Sequence, residues 1–114
     1  MKSNLRSGAL VMLGSVLVFA VGTATADVFS EAAKIGANAG AMKYCKDKVA
    51  AGDDRGKYNL LAIEAAKRYD NLDRAEKRRA LVTRKAAEDG DYLGDPLTKK
   101  RCDSLRKVLF LEYN

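Results

Sequence analysis

From Ser30 onward, apolar residues recur every three to four positions, which is the period of an amphipathic helix. The first stripe runs Ala32, Ile35, Ala39, Met42, Cys45, Val49. Ser30 is a good N-cap for it, and Val28 and Phe29 stand where a hydrophobic staple would pin its start. Gly36 and Gly40, set among Ala33, Ala37, Ala39 and Ala41, give this helix a smooth face that another helix can approach closely. The two glycines cost roughly 1 kcal/mol each in helix propensity. Gly52-Asp53-Asp54-Arg55-Gly56 reads as a turn in which either Asp caps the next helix. A second stripe follows: Tyr58, Leu61, Ala65, Tyr69, Leu72, Ala75, Val82, Ala86. It fits one helix of about 30 residues or two joined near Asp70-Asn71; Asp73 with Glu76 three later forms an N-cap pair and favours the break. Asp89 to Asp95 reads as a loop, and Pro96 as the first residue of a last helix with Cys102, Leu105, Val108 and Leu109 on one side. Strand-like alternation is absent. The expected fold is all-α, a small bundle of three or four helices.

Ahead of these helices the pattern is different. Lys2 and Arg6 make a short basic start, Ala9 to Val21 is apolar and uncharged, and Ala24-Thr25-Ala26 offers small residues where a signal peptidase reads. The apolar run falls short of the roughly 20 residues a bilayer span needs. Residues 1–26 are therefore read as a secretory signal peptide cleaved after Ala26, with residues 27–114 as one helical domain in the periplasm or outside the cell. No Cys stands at the cleavage point to take a lipid.

The mature chain has 88 residues, and a domain of this size buries only about 60–65% of its unfolded surface. Its larger apolar residues, Ile35, Met42, Leu61, Ile63, Leu72, Leu81, Val82, Leu105, Val108, Leu109, Phe110 and Leu111, make a modest expected core. Cys45 and Cys102 are the only cysteines, and an exported pair is expected to be oxidised. Closing that loop contributes roughly 4 kcal/mol in the chain-entropy account, a large share of what so small a domain musters. Losing Lys2 and Arg6 leaves 19 basic against 15 acidic residues, a charge of +4. That is too mild for a dedicated nucleic-acid binder.

Several chemistries are excluded by residue type. The chain has no His, which removes Ser-His-Asp and Cys-His arrangements and most zinc and haem ligation. No Cys-x-x-Cys is present. Gly52 to Lys57 faintly resembles a phosphate loop, but it is one residue short between its glycines and has Tyr58 in place of Ser or Thr. Asp89-Gly90-Asp91 with Gly94 resembles the opening of an EF-hand loop, yet Leu93 and Lys100 occupy positions that calcium requires to be oxygen donors. Asp53-Asp54 and Glu88-Asp89 lie in turns, where solvated capping is the usual role of carboxylates. No catalytic residue, cofactor or metal site is expected.

Three features remain for binding. The first is a basic band, Lys67, Arg68, Arg74, Lys77, Arg78, Arg79, Arg84, Lys85. Glu64, Asp70 and Asp73 stand four residues before Arg68, Arg74 and Lys77 and offset half of it. Arg78, Arg79, Arg84 and Lys85 have no such partner, and so face an acidic protein, lipid headgroups, cell-wall polymer or only water. The second is Val108-Leu109-Phe110-Leu111: successive helical side chains point about 100° apart, so four cannot share one core. Phe110 and Leu111 are candidates for a partner or homodimer contact. The third is Tyr92, expected to be exposed in the acidic loop, whereas Tyr58 and Tyr69 lie on the core stripe.

In size, helical content and a single long-range disulfide, the mature chain is similar to two groups of small periplasmic proteins. One is the acid-stress chaperones, which loosen at low pH and expose apolar surface; the other is the immunity proteins that block secreted cell-wall amidases. The likeness is of architecture, and no functional residue carries over. The expected function is protein–protein binding without catalysis, as a periplasmic accessory, inhibitor or immunity-type protein. The alternatives are a periplasmic stress chaperone and a basic protein held at a membrane surface or cell wall.

Overall fold

The computed structural model describes residues 29–114; the signal peptide expected over residues 1–26 lies outside them. Residues Glu31–Asn114 form one compact unit. Its elements are α1 (Glu31–Tyr44), a π-helical turn (Cys45–Val49), α2 (Asp54–Asp70), α3 (Arg74–Glu88), a hairpin of β1 (Asp91–Tyr92) and β2 (Asp95–Pro96), and α4 (Lys99–Tyr113). The all-α expectation of three or four helices is met with four, and a two-strand hairpin is added.

Nearly every residue of α1 from Ala32 to Met42 is buried, not only the stripe the period marks. A helix enclosed on all sides has to be small and apolar all round, and Ala and Gly meet that requirement here. The smooth face meets α3. A Cβ at Gly36 would overlap the Ala80 carbonyl, and one at Gly40 the Arg84 carbonyl, so α1 and α3 touch backbone to backbone. Thr83 Oγ1 donates to the Ala33 carbonyl at 2.5 Å across the same contact.

Helices α2 and α3 are separate. The Asp73 side chain accepts from Glu76 N at 2.8 Å and starts α3, as the cap pair predicts. The second stripe holds through Tyr58, Leu61, Ala65 and Tyr69 and then loses phase: Ala75 and Val82 are exposed, and α3 turns Ala80 and Ala87 inward instead. At the start of α2, Asp53 occupies the cap position without a side-chain cap bond. Pro96 does not begin α4. It pairs with Asp91 in the hairpin, a place where its missing N–H is tolerated, and α4 starts at Lys99 behind Thr98, whose Oγ1 accepts from Arg101 N. The turn residues Leu93 and Gly94 both have positive φ, the geometry of a tight two-residue hairpin turn. Asp91 Oδ1 accepts from Gly94 N at 2.9 Å and so serves the turn.

The disulfide joins Cys45, at the head of the π turn, to Cys102 in the first turn of α4, and both residues are fully buried. Around it pack Met42, Tyr58, Leu61, Tyr92, Leu97, Leu105 and Leu109. A smaller cluster of Ala39, Ala65, Tyr69 and Ala80 lies at the α1–α2–α3 contact. The core expected from the large aliphatics is only partly realised. Met42, Leu61, Leu105 and Leu109 are buried, whereas Ile63, Leu81, Val82, Val108, Phe110 and Leu111 are exposed.

Gly36→Ala is expected to lower the unfolding free energy by about 3 kcal/mol, because the clash is with backbone and not with a flexible side chain. Gly56→Ala, at a helical site where a Cβ meets nothing within 4 Å, should instead stabilise by about 0.5–1 kcal/mol. Urea unfolding of the two variants beside the parent checks both signs.

Candidate protein-binding groove

Two tyrosine contacts set the relation of α2 to α4. Tyr58 OH donates to Asp103 Oδ1 at 3.0 Å, and ten residues further along each helix the Arg68 guanidinium stacks 4.3 Å from the Tyr113 ring. The helices therefore run side by side in the same direction. Each sends its core stripe inward: Tyr58, Leu61, Ala65 and Tyr69 from α2, and Cys102, Leu105 and Leu109 from α4. Residues one position off those stripes face the seam. Lys57, Leu60, Leu61 and Glu64 of α2 and Arg106, Phe110, Tyr113 and Asn114 of α4 line a groove of about 580 Å³. Leu60 is 70% exposed and Phe110 57%, so the middle of the groove is apolar and open to solvent.

Its ends are polar. At the first, Tyr58 is buried and its hydroxyl is pushed up to about 12, mainly by burial and further by the Asp103 carboxylate. Asp103 is held below the usual carboxylate range by the hydrogen bond from Lys99 and then by that from Tyr58. Lys99 Nζ lies 3.1 Å from Asp103 Oδ2, and the Arg106 guanidinium lies 5.7 Å from the Tyr58 ring. At the second end, Arg68 pairs with Glu64 at 3.2 Å while stacking on Tyr113, whose hydroxyl burial also pushes up to about 12. Both tyrosines are thus neutral donors at ordinary pH.

The candidate binding residues named from the sequence fall in three places. Phe110 lines the groove, and Leu111, 76% exposed, stands beside it on the outer side of α4. Arg78, Arg79 and Lys85 are exposed on α3. Arg84 is half-buried and is not unpartnered: it pairs with Glu88 at 3.4 Å and stacks 4.5 Å from the Tyr69 ring. Glu88 follows it by four residues, a spacing open to the same test that found the other pairs. Tyr92 is a correction. It is buried, and its hydroxyl donates to Asn38 Oδ1 at 2.7 Å, because the hairpin folds it onto α1. Leu60 is the groove residue sequence reasoning missed. It lies off the Tyr58–Leu61–Ala65–Tyr69 stripe, and that was the signal available.

Comparison of the chain with protein-family models, curated proteins and solved structures finds no match. Among the described residues no cluster of three or more Cys, Asp or Glu is placed to hold a metal ion, and no helix is long and apolar enough to cross a membrane.

The Asp103 contacts carry a pH signature. A carboxylate with a lowered folded-state pKa contributes stability above its unfolded pKa, about 3.9, and that contribution fades as pH falls through the folded value. Asp103→Asn should therefore melt a few degrees below the parent at neutral pH, as expected for an exposed ion pair of under about 1 kcal/mol. The difference should begin to narrow near pH 4 and close only below the lowered folded-state value of Asp103, which melting curves across the acid range would reveal.

Proposed function

We propose that this is a small exported, non-catalytic protein that acts by protein–protein binding, as an accessory, inhibitor or immunity-type protein of the periplasm or cell exterior. The groove between α2 and α4 takes an apolar segment of its partner. The observation that carries this reading is the pairing of exposed Leu60 and Phe110 across one groove between polar ends. Aromatic and aliphatic anchors in a preformed depression, rimmed by Arg and polar groups, are what concentrates binding energy at protein interfaces. The disulfide supports the assignment to an oxidising compartment.

A second reading, the stress chaperone, is favoured by one feature. The Tyr58–Asp103 bond between α2 and α4, beside the groove, weakens as Asp103 protonates and loosens this junction in acid.

Replacing Leu60 with a photoreactive benzoylphenylalanine and irradiating the native envelope separates the two. The binding reading predicts one discrete adduct at neutral pH, lost when Phe110→Asp is added; an adduct of twice the chain mass identifies the partner as a second copy. Many adducts appearing only in acid favour the chaperone. No adduct at either pH contradicts both.

A further inference from the structure

Helix α3 carries a second surface, distinct in its residues and chemistry from the groove. Ala80 and Ala87 turn inward, and Thr83 bonds to α1. The opposite side of the helix therefore shows Arg74, Arg78, Leu81, Val82 and Lys85, at the three- and four-residue spacings of one face. Arg79 flanks it. None of Arg74, Arg78, Arg79 and Lys85 makes an ion pair among the described residues, and the Asp70–Arg74 and Asp73–Lys77 pairs expected from their spacing do not form. The two carboxylates of α3 lie elsewhere: Glu76 is half-buried in the first turn, and Glu88 is taken up by Arg84. Between the cations stand two aliphatic side chains in water, Val82 at 71% exposure and Leu81 at 41%. Beside them Arg74, Lys77, Arg78, Leu81 and Tyr69 line a shallow depression of about 350 Å³ with no acidic residue in its wall.

Like charges one turn apart repel, so this face is relieved by an anion. Which anion follows from the aliphatics. A purely ionic partner has no use for exposed Leu81 and Val82 in the middle of the cation row. A bilayer surface, with phosphates above and acyl chains beneath, matches cations and aliphatics on one helical face. We propose that the outward face of α3 docks on anionic phospholipid, with the depression formed by Arg74, Lys77 and Arg78 receiving a headgroup phosphate and Leu81 and Val82 entering the acyl boundary.

The test is co-sedimentation of the purified oxidised protein with vesicles of phosphatidylcholine, with and without one part in three of phosphatidylglycerol. The expected result is binding to the anionic vesicles only, weakened by salt. Arg74→Ala/Arg78→Ala should lower it by about twenty-five-fold, taking roughly five-fold per cation near an anionic surface. Val82→Ser, which leaves charge unchanged, should weaken it severalfold. All three substituted positions are exposed, so melting curves serve to show that the variants fold. Absence of binding to the anionic vesicles overturns the proposal. So does binding that Arg74→Ala/Arg78→Ala leaves unchanged, which would place the lipid contact on another surface of the protein. Val82→Ser binding as tightly as the parent, together with equal retention on immobilised poly-glutamate, would assign the face to an acidic protein instead. Displacement by inorganic phosphate beyond that by chloride of equal ionic strength would reduce it to a free-anion site.

Discussion

The contact of α1 with α3 through Gly36 and Gly40 is the constraint from which the rest of this molecule follows. With a carbonyl of α3 occupying the space of each absent Cβ, the two backbones are as close as helices come, and only small residues fit on either side of the seam. Thr83, reaching the Ala33 carbonyl, adds a directional bond to a contact that is otherwise shape alone. Close approach has a consequence for the core. Among the described residues, eight of the buried apolar side chains are alanines, each removing little area from water, so the interior gains less from burial than its residue count suggests. The disulfide lies where this matters, tying the end of the central α1 region to α4 and restricting the unfolded chain.

A thin interior built from small residues leaves large ones outside. Leu60, Ile63, Val82, Val108, Phe110 and Leu111 are all about half exposed or more, on three helices. They are not scattered at random. Cys102 anchors the first turn of α4, Asp103 beside it is held by Tyr58, and α4 then runs along α2 so that Phe110 comes to face Leu60. The staple and the tyrosine clamp thus place the apolar middle of the groove as well as contributing to stability. On α3 the exposed aliphatics keep different company, lying among cations without carboxylates, and this is why the two surfaces suit different partners.

Much of the fold was readable from local signals. The cysteine pair, the Asp73–Glu76 cap and the glycine face of α1 each express a local chemical requirement, and each appears in place. The misreadings share a cause, which is that tertiary contacts overrode a local pattern. Pro96 fits a helix start by propensity, but Leu93 takes a positive φ while its side chain packs on the core, so the chain closes a hairpin with no Asn-Gly to announce it. That hairpin buries Tyr92 against Asn38. The stripe of α2 continues numerically into Val82, yet the break at Asn71 resets the phase of α3 and turns Val82 outward. The groove was half visible: the run from Val108 to Leu111 marked Phe110, while Leu60, next to a core leucine, had to be found by its distance from the stripe.

If α1 and its close contacts hold the fold, then the most exposed aliphatics on the other three helices are surplus to folding. The direct test is the triple variant Leu60→Gln/Val82→Gln/Leu111→Gln, compared with the parent by denaturant unfolding under oxidising conditions. The account predicts an unfolding free energy within about 1 kcal/mol of the parent and an unchanged slope, as for surface substitutions generally. A loss of several kcal/mol would mean that these side chains belong to the folding core, and the reading of two recognition surfaces would lose its basis.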